Sequence, residues 1–235
     1  MTESTLAGKS AVVTGGSRGI GRHIARALHE AGASVIITGR NETTLRESAG
    51  RIGARCDFVV CDQRDPASID AMAARVRQDH GEPDILVNNA GLGRRAPVTK
   101  MSLEDWRTVL DTNLTGVFLT TKAFLPGMIA RERGDIFMIS SMSGKKGDPQ
   151  GCAYNASKFG LQGFAQAVNY DVRKHNIRVM VLNPSSVDTS DEPGAPHGPG
   201  VFLHAADLGA TVAHLAALPG RTLVRDMDIW GTNPP

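Results

Sequence analysis

The chain is short of the residues from which disulfide and metal chemistry is built. Its three cysteines, Cys56, Cys61 and Cys152, are odd in number and lack the paired C-x-x-C spacing of zinc or redox sites, so they read as reduced thiols. The seven histidines are scattered from His23 to His214 with no H-E-x-x-H or comparable cluster, and no metal site is expected. No apolar run approaches the roughly 20 residues that span a bilayer, and the opening MTESTLAGKS is too polar for a secretory signal. A membrane is thus excluded as a partner and a cytoplasmic location is expected. Charge of one sign is lacking too: 26 Lys and Arg stand against 24 Asp and Glu, interspersed, for a net +2. With no basic stripe and no zinc-finger or RNA-binding pattern, nucleic acid is not an expected partner.

What is present is glycine in one telling place. The stretch Thr14 to Gly21, TGGSRGIG, lies between an apolar run, Ser10 to Val13, and a segment in which Ile20, Ile24, Ala27, Leu28 and Ala31 recur at helical spacing. A strand therefore hands over to a helix through a glycine-rich turn. Such a turn lets the backbone approach a pyrophosphate closely, while the N–H groups and dipole at the helix start attract its charge. A glycine turn alone is also consistent with a plain connection, so the rest of the chain has to decide.

The 235 residues are expected to form one domain, with strands and helices alternating along it. Strand Ser34 to Thr38 is followed by a helix from Glu42 to Ile52, strand Phe58 to Cys61 with Asp62 at its tip, a helix from Pro66 to His80, and strand Asp84 to Val87 running into Asn88-Asn89-Ala90-Gly91. A long helical segment, Leu103 to Arg131, is expected to break near Pro126, and its apolar surplus suits a contact with another subunit. Strand Asp135 to Ile139 leads to Ser140-Ser141, then come helix Ala153 to Lys174 and strand Ile177 to Leu182. The Pro-, Gly-, Ser- and Asp-rich stretch 184–204, with Asp188, Asp191, Glu192, His197 and Phe202, reads as a loop over a substrate site. Helix Ala205 to Leu218 and strand Met227 to Trp230 close the chain. This alternation predicts an α/β fold, a Rossmann-type doubly wound parallel sheet of about seven strands with helices on both faces. Right-handed connections put the carboxyl ends of the strands on one edge, where such sheets bind ligands. Gly15, Arg40, Asp62 and Asn89 converge there.

Arg40 stands at the end of the second strand, about 20 residues past the glycines, where an acidic residue would hold the ribose 2′-hydroxyl of NAD. An arginine suits the 2′-phosphate of NADP, and Arg18 in the glycine turn can add a second charge. Glu42 lies close enough to keep NAD as the alternative. Tyr154 and Lys158, four apart on one helix, share a face, and a neighbouring ammonium would lower the phenol's pKa. Ser141 ends the preceding strand thirteen residues before Tyr154, so its hydroxyl can hold a substrate oxygen.

Taken together, TGGSRGIG, NNAG at Asn88 to Gly91 and YNASK at Tyr154 to Lys158 make the chain resemble the short-chain dehydrogenase/reductase family, of the compact type that reduces ketones or oxidises alcohols. The resemblance spans essentially the whole chain. It implies Tyr154 as general acid/base, Ser141 orienting the substrate carbonyl, Lys158 binding the nicotinamide ribose and lowering the tyrosine pKa, and Asn113 holding a water in a proton relay. It further implies NADP(H) contacts from Gly15, Ser17, Arg18, Gly19, Ile20, Gly21, Arg40, Asp62, Asn89, Ala90, Gly91, Pro184, Val187 and Thr189, a carbonyl or alcohol substrate, and a homotetramer or homodimer. One departure stands out. The family's Pro-Gly after the sixth strand is replaced here by Pro184-Ser185-Ser186. An NAD-linked polyol or hydroxysteroid dehydrogenase and a cofactor-sensing protein without turnover are the remaining alternatives.

Overall fold

The computed structural model describes residues 5–190 and 202–232. Its strands follow from β-branched and apolar runs: β1 (Ser10–Thr14), β2 (Ser34–Gly39), β3 (Cys56–Val60), β4 (Ile85–Asn88), β5 (Gly134–Ile139), β6 (Ile177–Pro184) and β9 (Asp226–Ile229) form one sheet in the order β3-β2-β1-β4-β5-β6-β9. Every pairing in it is parallel. A second, two-residue pair, β7 (Val187–Asp188) with β8 (Leu203–His204), lies within the stretch read from sequence as pure loop. Of the residues named there, Asp191, Glu192 and His197 lie outside the described residues.

Successive strand side chains point to opposite faces, and the two cores sort by that alternation. Val13, Val35, Ile37, Val87, Phe137 and Leu182 pack with α1 (Gly19–Glu30), α2 (Glu42–Ile52) and α7 (Ala205–Ala217). Their neighbours Val12, Ile36, Leu86, Ile136 and Val181 pack with α3 (Pro66–His80), α5 (Gly116–Ala130) and α6 (Cys152–Val172). Both faces are covered, which is why the central strands are apolar throughout rather than alternating. Local signals fix several helix starts. Asn41 accepts the Thr44 N–H at 3.0 Å before α2, and Asp65 accepts the Ala67 N–H at 3.0 Å before Pro66 opens α3.

The long helix departs from expectation. It divides into α4 (Leu103–Leu110), a π turn over Asp111–Thr115, and α5, which runs straight through Pro126. Lys122 and Pro126 both face outward, so the carbonyl that loses its hydrogen bond to the proline can reach water. The irregularity sits instead at the π turn, which carries Asn113. At the amino-terminal ends of the strands Arg178 on β6 grips Asp135 on β5 through two hydrogen bonds of 2.6 and 2.8 Å, with both side chains under a tenth exposed. The helix predicted to Lys174 ends at Val172 in a 3-10 turn, and the last strand begins one residue early, at Asp226. Among the described residues no helix is long and apolar enough to cross a membrane, and no group of His, Cys, Asp and Glu is placed to hold a metal ion.

The strand order reverses direction between β1 and β4. There the connections leave on opposite sides and open a crevice at the carboxyl edge.

Candidate active site

A cleft of about 1140 Å³ occupies that edge. At its floor β1 gives way to Gly15, which has φ +68, a left-handed conformation that suits glycine. A Cβ on Gly21 would lie 2.3 Å from the Gly15 carbonyl, so the first turn of α1 can fold onto the strand end only without one. The β4 loop is tied to this turn. Thr14 Oγ1 accepts the N–H groups of Asn89 and Ala90, both at 3.0 Å, and the Asn89 amide donates to the Thr14 carbonyl at 2.9 Å. The Asn89 side chain thus braces the glycine turn while its residue lines the cleft. The result is a cradle of backbone N–H groups at a helix start with no side chain filling it, which fits a dinucleotide pyrophosphate.

Two cations flank the cradle. Arg18 is extended at the start of α1, Arg40 follows β2, and both line the cleft. Among the described residues neither guanidinium has an ion-pair partner, and no carboxylate stands at the Arg40 position. The pair is therefore free to receive a phosphate. Asp62, at the tip of β3, lines the same end, and its carboxylate is held by Arg64. Cys61 beside it is no nucleophile, because burial pushes its thiol up to about 11.

At the other end of the cleft lie Ser141, Tyr154 and Lys158. Ser141 leaves β5 in extended conformation and its Oγ accepts the Ser143 N–H at 3.1 Å, capping a short 3-10 turn. One turn separates Tyr154 from Lys158 on α6, and the Lys158 Nζ lies 5.7 Å from the centroid of the Tyr154 ring. Burial is the largest influence on the phenol. Burial pushes the Tyr154 pKa up, opposed in part by the Ser141 hydroxyl and the charge of Arg95. Lys158 is anchored to β5. It is fully buried, its Nζ donates to the Ile139 carbonyl at 2.7 Å, and burial pulls its own pKa down to about 8. The phenol is thus protonated at neutral pH beside a serine hydroxyl, an arrangement able to give a proton to a developing oxyanion.

Asn113 does not face the cleft. Its Oδ1 accepts the Leu92 N–H at 2.9 Å, and its amide donates to the Leu92 carbonyl at 2.9 Å and to Ser157 Oγ at 3.0 Å. Both amide hydrogens are spent within the protein, so the side chain serves to lock the β4 loop onto α6, and a relay water would need another of its atoms. Of the remaining expected residues, Ser17, Gly19, Ile20, Gly91 and Thr189 line the cleft, with Thr189 Cβ 3.4 Å from where a Gly19 Cβ would stand. Pro184 and Val187 do not line it. Pro184 is the buried end of β6, and Val187 packs on the hydrophobic core. Sequence reasoning missed Arg64, Arg95, Ser143, Asp148 and Trp230, which also line the cleft. Arg95 pairs with Asp148 at 3.0 Å and Ser143 donates to the same carboxylate, contacts between separate loops that no local spacing announces.

Comparison with known proteins gives a consistent picture. Residues 9–194 match the family model described as short chain dehydrogenase. The chain is 38% identical over 182 residues to the 3-oxoacyl-[acyl-carrier-protein] reductase FabG of Escherichia coli, covering 77% of this chain and 75% of that protein. It superposes on an alcohol dehydrogenase from the archaeon Thermococcus sibiricus complexed with 5-hydroxy-NADP, with TM-score 0.88 and 28% identity over 97% of this chain and 98% of that one. A metagenomic short-chain oxidoreductase in complex with NADP gives TM-score 0.86 and 35% identity, over 97% and 99% of the two chains.

Proposed function

The chain belongs to the short-chain dehydrogenase family of oxidoreductases, and we propose that it is an NADP(H)-dependent enzyme interconverting a ketone and a secondary alcohol. The observation that carries this reading is the pairing, in one cleft, of Ser141, Tyr154 and Lys158 at one end with Arg18 and Arg40 at the other. The relatives named for a 3-oxoacyl reductase and the neighbours solved with NADP or a derivative of it support the same assignment.

In this reading the glycine turn and the N-terminus of α1 hold the pyrophosphate, Arg18 and Arg40 the 2′-phosphate, and Lys158 the nicotinamide ribose. A bound nicotinamide supplies the hydride donor or acceptor. Ser141 donates a hydrogen bond to the substrate oxygen, and Tyr154 delivers a proton to that oxygen as negative charge gathers on it. Burial raises the phenol's pKa, so Tyr154 carries the proton that it delivers in the reduction. The reverse reaction uses the same groups, with the proton passing to Tyr154.

Exposed Phe118 and Phe159, on α5 and α6, support assembly with further copies of the chain, for which a homotetramer is the proposed state.

Titration with NADPH and with NADH, followed by nicotinamide fluorescence, tests the cofactor assignment. NADPH is expected to bind more tightly, with Arg40→Ala weakening it by about tenfold or more. Tyr154→Phe should bind NADPH normally and lose on the order of a hundredfold or more in turnover of a ketone substrate. Retention of full activity by this variant would remove Tyr154 from the mechanism.

A further inference from the structure

Asp62 and Arg64 lie one strand away from Arg40. Gly39 is registered with Val60, and the Cys61 N–H donates to the Gly39 carbonyl at 2.8 Å, so the tips of β2 and β3 stand side by side. Adjacent strands are about 4.8 Å apart, which sets the Asp62 carboxylate within electrostatic reach of anything bound at Arg40. Hydrogen bonds from Arg64 and, to a lesser degree, the charge of Arg40 hold the Asp62 pKa below the usual carboxylate range. A bare carboxylate at this point would cancel much of the Arg40 charge and repel a 2′-phosphate, which carries about −1.5 to −2 at pH 7.

The carboxylate is not bare. Arg64, two residues on, wraps back so that its Nε donates to Asp62 Oδ1 at 3.2 Å and its Nη2 to Oδ2 at 2.8 Å, while its backbone N–H reaches Oδ1 at 3.0 Å. One residue thus neutralises both oxygens in the fork geometry peculiar to arginine. The side chains of both are about a third exposed and both line the cleft, along with Arg18 and Arg40.

We infer that Arg64 is a specificity-determining residue, which masks the charge of Asp62 so that Arg18 and Arg40 meet a 2′-phosphate unopposed. The inference rests on the NADP(H) reading above and concerns only the discrimination between the phosphorylated and unphosphorylated ribose. A cofactor lacking the phosphate places no charge at this point and feels an unmasked Asp62 less.

The test is a fluorescence titration of the full chain with NADPH and NADH, with thermal shift by each cofactor as the second readout. Arg64→Gln should lower the preference for NADPH over NADH by roughly fivefold, weakening NADPH binding more than NADH binding. Adding Asp62→Asn to Arg64→Gln should restore the preference, since no carboxylate then needs masking. Arg64→Lys, which keeps the charge without the fork, should retain most of it. Equal weakening of both cofactors would make Arg64 a loop brace and overturn the inference, as would an unchanged preference. Loss of preference that Asp62→Asn fails to rescue would overturn it in favour of direct phosphate contact by Arg64. A wild-type chain without preference for NADPH would instead refute the underlying cofactor reading, and the inference with it.

Discussion

Replacing Lys158 by methionine should make the protein more stable at neutral pH. Lys158 is 5% exposed and its ammonium donates to the Ile139 carbonyl at 2.7 Å, with burial the sole cause of its lowered pKa. A fall from the ordinary 10.5 to about 8 means that the folded state disfavours the charged form by about 3 kcal/mol, at roughly 1.4 kcal/mol per pH unit. The sign follows from proton binding. The unfolded chain keeps this proton up to about pH 10.5 and the folded chain releases it near 8, so between these values the unfolded state binds more protons and stability rises with pH. Below pH 8 the whole cost is present, and above 10.5 it is gone.

Methionine fills a similar volume with no charge but leaves the Ile139 carbonyl without this donor, a loss of about 1 kcal/mol. Lys158→Met should therefore be more stable than the wild type by about 2 kcal/mol at pH 7, with the advantage shrinking from pH 8 and reversing by about 1 kcal/mol near pH 10.5. Urea denaturation followed through Trp106 and Trp230, at pH values from 7 to 10.5, measures the difference directly, and taking variant against wild type cancels every other titrating group. A difference that stays constant over that range would refute the reasoning, because it would mean that Lys158 does not titrate within it. A wild type more stable at pH 7 would do the same.

Other perturbations probe the scaffold around the cleft. Arg178→Ala should cost about 3–5 kcal/mol by leaving Asp135 buried and unpaired, read as a lowered denaturation midpoint, whereas replacing both partners by apolar residues of similar size should cost far less. Asn113→Ala removes three hydrogen bonds between the β4 loop, the π turn and α6, so it should lose about 2–3 kcal/mol of stability, measurable by the same denaturation. In Gly21→Ala the new methyl collides with the Gly15 carbonyl, and NADPH affinity in the titration should fall by about tenfold or more.

What the sequence made legible was whatever depends on local pattern. The parallel strands are apolar runs of the right length, the glycine turn needs a left-handed residue and a close approach, and i,i+4 spacing puts Tyr154 and Lys158 on one face. What it hid depends on where a chain end or loop comes to rest. Pro126 reads as a helix break because the rule counts the missing hydrogen bond and not whether water can replace it. The π turn leaves no mark of its own in composition, yet it aims Asn113 at Leu92. An Asp-x-Arg triplet at positions 62 to 64 has the spacing of countless surface loops, and only the fold of the turn closes it into a chelate. The Tyr154–Lys158 pair makes the same point in electrostatic terms. Spacing brings the two side chains together and suggests a phenol eased toward ionisation, but the partner that matters to Lys158 is a carbonyl nineteen residues upstream. With the lysine turned to Ile139 and the phenol buried, the upward push on the tyrosine's pKa comes from burial, which the motif's spacing does not contain.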